Sequence, residues 1–423
     1  MLELSDAREE RVPFRIERPT RRQRPTMEAG VKETVQDVRL RGDIAVLEWT
    51  SRLDGVRLAP DRLRVEPEAI AAARSQTPSG LADAFDALAA GYRRSYQQSP
   101  LLGWLERGAG ETAGELVRPL RRVGIHVPPD IPGRLSGLIG NIQAARVAGV
   151  DGIAVCSAPT GSGEIADPVL AACSICGVDE VYRVGGVPAV AAMAYGTETV
   201  RPVDKVIASG GPEVAHALRL VRGWVGTGTE PGPPELVIVA DETSSPQTLA
   251  EDLAAHAARG AQGSHVLVTA SPELLQAVVA ALDMEVSAHD PSGDVENALV
   301  EGGRGILVRD LDQAFELANA FAPECLMLSI ADAETTLPRV RNAGSVLLGD
   351  SPAAAAPIFG TGGLLPSSGR ARWESAVSPR DFIKTIPVTG AEPSLPTEAS
   401  HLRALAEAEG SETGALGVDL RRS

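Results

Sequence analysis

The sequence predicts an α/β protein built on parallel sheets with helices on both faces. Three observations predict it. From about residue 120, short β-branched runs alternate with helical segments, and such repetition closes as a parallel sheet with right-handed crossovers. Glycine pairs, Gly185-Gly186 and Gly210-Gly211, follow two of these runs, where a strand must turn into a helix. The chain has 423 residues, 43% of them hydrophobic, which is enough for two or more cores.

The elements follow in order. MLELSDAREERVPF has no apolar core and does not read as a signal peptide. The first 26 residues, rich in Arg, Glu and Pro, read as a loose arm. Its basic string RPTRRQRP, residues 18–25, reads as solvated. Residues 35–118 read as mostly helical, with Val38, Ala45, Val46 and Trp49 at helical spacing. VDGIAVCSAP reads as strand and turn. VDEVYRVGG and VDKVIASGG read as strands, each followed by a helix, VPAVAAMAYG and PEVAHALRLVRGW. ELVIVADE is a further strand and SPQTLAEDLAAHAARG a further helix. HVLVTAS, GILVRD and SVLLGD continue the theme in a second region.

Composition narrows the function. No run of 18 apolar residues exists, so no membrane span is expected. The net charge of −16 disfavours a nucleic-acid partner, whose phosphates require clustered cations. Four cysteines make no disulfide framework and fit a reducing cytoplasm. Cys173 and Cys176 form a CxxC inside a helix running from Asp167 to Gly177, where packing explains them. No GxGxxG follows a strand, and GTGGLL at 360–365 breaks that pattern at its last position. One stretch stands out: FAPECLML, residues 321–328, sets the carboxylate Glu324 beside the thiol Cys325 among apolar neighbours.

Several segments carry a resemblance. RGDIAVLEWTSRLDGVRL, VRPLRRVGIHVP, GVDEVYRVGGVPAVAAMAYGTETV, VDKVIASGG, PELVIVADET, FAPECLML, NAGSVLLG and LAEAEG occur in order from about residue 35 to the C-terminus. Together they resemble histidinol dehydrogenases. The resemblance implies two Rossmann-like parallel-sheet domains of the histidinol/aldehyde dehydrogenase type, one interrupted by the other. Mapped here, residues 27–125 and 241–375 form the first domain and 126–240 the second. Residues 1–26 are an N-terminal arm, and the tail 376–423 crosses to the partner subunit of a homodimer. That family oxidises a small amino alcohol through the aldehyde to the acid, with two NAD and one zinc per site.

The site positions depart from the family's pattern. Its zinc-binding glutamine and histidine, one helical turn apart, correspond to His256 and Arg259. Arginine stays protonated, offers only donors and cannot ligate zinc. The zinc-binding aspartate falls near Ala356, with Asp350 nearby, and the last histidine falls at Gly414. A stable site needs about four ligands, or three and water, so no zinc is expected. The family's acid/base pair of glutamate and histidine becomes Glu324 and Cys325. A further histidine falls at Gly363, and a substrate-contacting serine at Pro234. Glu409 matches the glutamate that reaches the substrate from the partner subunit. Three polar NAD contacts fall at His126, Pro188 and Gly211, and each lost hydrogen bond costs about 1 kcal/mol. NAD or NADP remains the candidate cofactor on the strength of Gly185, Gly186, Gly210 and Gly211, whose turns let backbone approach a phosphate.

The resemblance therefore expects His256, Arg259, Glu324, Cys325 and Glu409 to line one pocket for a small-molecule substrate. His256 and Arg259 share a helix face. Arg259 would bind a substrate carboxylate or phosphate, steady an oxyanion, or simply pair with a glutamate. His126 and Glu409 are further candidate substrate contacts. His256, three and seven residues beyond Leu253 and Leu249, also reads as a core histidine. Cys325 reads as a nucleophile with Glu324 as base, or as a small buried hydrophobe whose thiol the adjacent carboxylate keeps protonated. Three functions stay open: a zinc-independent oxidoreductase on a small amino alcohol or aldehyde, a non-redox enzyme of specialised metabolism reusing the cleft, and a catalytically silent scaffold or regulatory protein.

Overall fold

The structure is a computed structural model that describes residues 1–9, 15–19, 25–107, 111–128, 134–260, 262–349, 363–391 and 396–411. In chain order the elements are β1 (Glu3–Asp6), α1 (Pro25–Arg41), α2 (Asp43–Leu53), α3 (Pro67–Gln76), α4 (Ser79–Gln97), β2 (Trp104–Arg107), β3 (Glu111–Pro119), β4 (Arg122–His126), α5 (Arg134–Ala148), β5 (Gly152–Ser157), α6 (Asp167–Ile175), β6 (Val181–Arg183), α7 (Gly186–Tyr195), β7 (Lys205–Ala208), α8 (Pro212–Val221) and β8 (Gly226–Thr227). They continue with β9 (Glu235–Ala240), α9 (Pro246–Ala257), β10 (Ser264–Thr269), α10 (Pro272–His289), α11 (Asp294–Gly302), β11 (Gly303–Leu307), α12 (Leu311–Phe321), β12 (Cys325–Ser329), β13 (Ser345–Leu348), β14 (Ile383–Ala391) and α13 (Pro396–Ala408). No described helix is long and apolar enough to cross a membrane.

Chain contacts divide the molecule into two units: Met1–Ser99 with Arg121–Phe382, and Pro100–Leu120 with Ile383–Ser423. The first unit holds both parallel sheets, as the βαβ repetition predicts. The six-stranded sheet has the order β1-β11-β10-β9-β12-β13, and the five-stranded sheet the order β6-β5-β4-β7-β8. The second unit holds an antiparallel sheet of order β14-β3-β2.

Strand alternation builds the cores. On the larger sheet, Leu236, Ile238, Leu267 and Met327 point to one face and pack with α9, α10 and α11. Val237, Val239, Val266, Val268, Leu326 and Leu328 point to the other face and pack with α12. Successive side chains of a strand take opposite faces, so these strands, covered on both sides, are apolar on both faces through their middles. On the smaller sheet, Ala154, Cys156, Val206 and Ala208 pack under α7 and α8.

Three expectations are corrected here. The first residues are not all a loose arm: Glu3–Asp6 pair in parallel with β11, Glu3 opposite Arg304. The resemblance groups α1 and α2 with residues 241–375, but Val31, Val35, Val38, Ala45 and Val46 pack into the core of the five-stranded sheet. Within the stretch that reads as mostly helical, Trp104–Arg107 and Glu111–Pro119 are strands and not helix, and they pair antiparallel.

The five-stranded sheet carries a buried ion pair at its amino edge. Arg122 Nη1 donates to Glu180 Oε2 at 2.6 Å, and Tyr182 donates its hydroxyl to the same carboxylate. Burial pushes the Glu180 carboxyl up, but the hydrogen bonds from Arg122 and Tyr182 outweigh it and leave its pKa at about 2. The folded value lies below the unfolded one, so the contribution is present above the ordinary carboxylate range and lost as pH falls towards 2. Its size is on the order of 2–3 kcal/mol. Glu180→Gln is expected to flatten the acid limb of stability measured by urea unfolding between pH 6 and 3; an unchanged slope would refute this.

Candidate active site

The larger sheet gathers its polar residues at the amino ends of β9, β10 and β12. Helix α9 starts beyond the carboxyl end of β9, capped by Ser245, whose Oγ accepts from Thr248 N at 3.4 Å, with Pro246 in the first turn. It then runs back across the sheet and delivers His256 and Arg259 to the amino edge. Glu324 arrives from the other side, just before β12, after Ala322 has reversed the chain with φ 55°.

A continuous chain of contacts results. Arg259 Nη2 donates to Glu324 Oε1 at 3.2 Å, and Arg259 Nη1 donates to His256 Nε2 at 3.0 Å. His256 Nδ1 lies 3.1 Å from His265 Nδ1, the two rings meeting edge to face. The other carboxylate oxygen of Glu324 accepts the Glu235 N–H at 2.9 Å. Glu235 is itself fully buried, and its carboxylate takes Arg18 Nε at 2.7 Å. Arg18 also donates to Phe321 O at 2.6 Å and stacks 3.7 Å from the centroid of that ring. Sequence reasoning missed Arg18, Glu235 and His265. Arg18 was hidden in a string that reads as solvated, and His265 in a strand. Glu235 carried a usable signal: an acid opening a wholly apolar strand needs a counter-ion.

Burial and charge set the protonation of these groups. Desolvation, then the charge of Arg259 and the neighbouring ring, hold His256 well below the ordinary imidazole value. Desolvation first and Arg259 second bring His265 down to about 4. Both rings are neutral. Cys325 is 2% exposed and packs in the apolar core with Leu236 and Met327. Burial, then the adjacent Glu324, push its thiol up to about 12, which disfavours the thiolate a nucleophile requires. Glu409 belongs to the other unit, where it is exposed just past α13 and its N–H donates to Leu405 O.

A second polar cluster lies at the carboxyl edge of the five-stranded sheet. Its strand order changes direction between β4 and β7, the crevice where open α/β sheets take ligands. His126 ends β4 there. Gly186 N donates to His126 Nε2 at 2.9 Å, and His126 Nδ1 is 2.8 Å from Ser209 O. Because Nε2 accepts, Nδ1 carries the proton and donates. His126 therefore ties the turn at Gly185-Gly186 to the turn at Ser209, Gly210 and Gly211. Gly185 is required by close approach, since a Cβ there would sit 2.5 Å from that of Ala158, and Gly186 by its φ of 56°.

Comparison with known proteins decides the family. The histidinol dehydrogenase family model matches residues 17–422. The chain belongs to the histidinol dehydrogenase family. The histidinol dehydrogenase of Deinococcus radiodurans is 39% identical over 404 residues, 94% of this chain and 92% of its own length. That of Methanothermobacter thermautotrophicus is 38% identical over 357 residues, 84% of this chain and 83% of its own. The crystal structure of histidinol dehydrogenase from Elizabethkingia anophelis superposes with a TM-score of 0.92 at 26% identity, over 99% of this chain and 98% of that one.

Membership in the histidinol dehydrogenase family raises the question of zinc. His256 Nε2 and Glu324 Oε1 are the two acceptors that face each other here, and the Arg259 guanidinium already bridges them. A divalent ion would have to displace a permanent cation, so these donors do not fit zinc. Among the described residues, no three His, Cys, Asp or Glu converge closely enough to hold a metal ion. Of the other positions aligned with zinc ligands, Asp350, Ala356 and Gly414 lie outside the described residues.

Proposed function

We propose that this member of the histidinol dehydrogenase family is a zinc-independent oxidoreductase acting on a small amino alcohol, aldehyde or related metabolite. One observation carries the reading: the guanidinium of Arg259 is fixed between His256 and Glu324. Its side chain remains 29% exposed, so N–H groups are left to meet a ligand. A guanidinium stays charged at all working pH values and can hold an oxygen on which negative charge develops. Glu324, beside it, is positioned to take the proton of a substrate hydroxyl. Cys325 is assigned to packing.

NAD or NADP would supply the hydride acceptor. The glycine turns that start α7 and α8 at the switch point fit a phosphate-bearing cofactor in kind. A second reading, a non-redox enzyme using the same Arg259–Glu324 pair, is favoured by the ring of His126, which already takes the Gly186 N–H.

The test combines elemental analysis of the purified protein with calorimetric titrations of NAD, NADH, NADP and NADPH. The expected result is zinc-free protein that binds a dinucleotide, in the wild type and in Cys325→Ala alike. Stoichiometric zinc would overturn the reading. Zinc-free protein that binds no dinucleotide would leave the non-redox enzyme and the catalytically silent protein. Loss of aldehyde turnover in a folded Cys325→Ala would return the nucleophile role to that residue.

We also propose a cytoplasmic homodimer. All four cysteines are free and buried, which suits a reducing compartment. In the unit of Pro100–Leu120 and Ile383–Ser423, Gly114 is the one buried residue among those described, while Trp104, Leu105, Leu116, Ile386, Leu402 and Leu405 are exposed. Such a unit has no core of its own, and a second copy would cover it. Sedimentation at micromolar concentration should give twice the chain mass; a monomer would exclude this.

A further inference from the structure

We propose that His265 is a positioning residue: by accepting the Nδ1 proton of His256 it fixes the tautomer that presents the His256 Nε2 lone pair to Arg259, and so aims the guanidinium at Glu324. The inference rests on the reading of Arg259 as the cation of the site.

An arginine side chain keeps its charge at every working pH. Its nitrogens only donate. The contact of Arg259 Nη1 with His256 Nε2 at 3.0 Å therefore requires Nε2 to be unprotonated. A neutral imidazole then carries its proton on Nδ1, 3.1 Å from His265 Nδ1. That second nitrogen must accept, which leaves the proton of His265 on Nε2. The direction of every hydrogen bond is thus dictated from one end, Glu324 to Arg259 to His256 to His265. The lowered pKa values of both rings agree with two neutral histidines.

The far end of the chain shows that the arrangement is not ordinary packing. His265 is fully buried, and its Nε2 has no hydrogen-bond partner among the described residues. Buried donors without acceptors are uncommon, because they forfeit hydration and gain nothing in return. Position 265 lies opposite Leu236 in the sheet and on the same face of β10 as Leu267, where Leu or Val would pack without that penalty. A histidine there is explained by its other nitrogen. With an apolar residue at 265, the Nδ1 proton of His256 would itself be buried unpaired. The ring would then turn to its other tautomer, pointing a proton at the donors of Arg259.

The tautomers are read directly from protein labelled with 15N on its histidines, by long-range proton–nitrogen correlation, with His256→Gln and His265→Asn spectra to assign the signals. In the wild type, His256 is expected to show a protonated Nδ1 and a bare Nε2, and His265 the reverse. His265→Asn keeps an acceptor in its side-chain oxygen and should retain the His256 pattern. His265→Leu should lose the Nδ1–H signal of His256. An Nε2–H tautomer or a doubly protonated ring at wild-type His256 would overturn the proposal, as would an unchanged pattern in His265→Leu. Should His265→Leu fail to fold, the wild-type spectrum decides alone. The measurement needs no substrate, so failure of the dinucleotide titration would refute the proposed reaction and leave this relay standing.

Discussion

Arg18→Ala is expected to lower the unfolding free energy by about 3 kcal/mol at pH 7.5, in the range typical of breaking a buried ion pair from one side. The side chain of Glu235 is 1% exposed, and Arg18 is the cation that meets it, at 2.7 Å. The effect has a defined pH dependence. Burial pushes the Glu235 carboxyl up, and Arg18 pulls it down; removing Arg18 releases the upward shift. A carboxyl whose folded pKa is raised contributes stability below its unfolded pKa and loses it as pH rises through the folded value. The deficit of Arg18→Ala should therefore be smaller at pH 4.5 than at pH 7.5 in urea unfolding. Adding Glu235→Gln should recover part of the loss at the higher pH. Equal deficits at both pH values would mean that Arg18 acts only through its stacking on Phe321.

Arg259→Ala removes the donor for two acceptors at once, Glu324 Oε1 and His256 Nε2. The guanidinium is partly exposed, so water softens the loss, and the expected cost is about 2 kcal/mol. Arg259→Lys should recover little, because a single ammonium cannot reproduce the fork that spans both partners. Glu324→Gln alone should cost less, since the amide oxygen still accepts from Arg259. A double-mutant cycle between Arg259→Ala and Glu324→Gln should return a coupling of about 1 kcal/mol. Coupling near zero would mean that the two side chains are neighbours without being partners.

Much of the fold was legible because its central strands are buried on both faces. ELVIVA is apolar after its first residue and SHVLVT through its middle, and each is followed by a helix with a capping serine and a proline in its first turn. β1 was not legible. ELSD is four residues at a sheet edge, mostly exposed, and its partner lies some three hundred positions away. Helices α1 and α2 were recognised, but a helical period names an apolar face without naming what covers it. In the site, His256 and Arg259 were found because a helix period and a family resemblance converge on them, and Glu324 because FAPECLML sets a carboxylate among apolar residues. His265 was absorbed into a strand, where alternation explains position but not chemistry. Arg18 was lost in a run of charges, because only tertiary structure tells a solvated arginine from one reaching a buried carboxylate.

The pairing of β1 with β11 also sets an order of events during synthesis. Asp6 lies opposite Leu307, and Arg18 meets Glu235. A ribosome adds roughly 5–20 residues per second, so the first strand waits on the order of 15–60 s before its partner has been made. Until β11 is made the edge that β1 will join does not exist, although Glu235, the partner of Arg18, is made some seventy residues earlier. The six-stranded sheet is therefore completed only once β11 and β13 have been made, and β1, made long before either, pairs late.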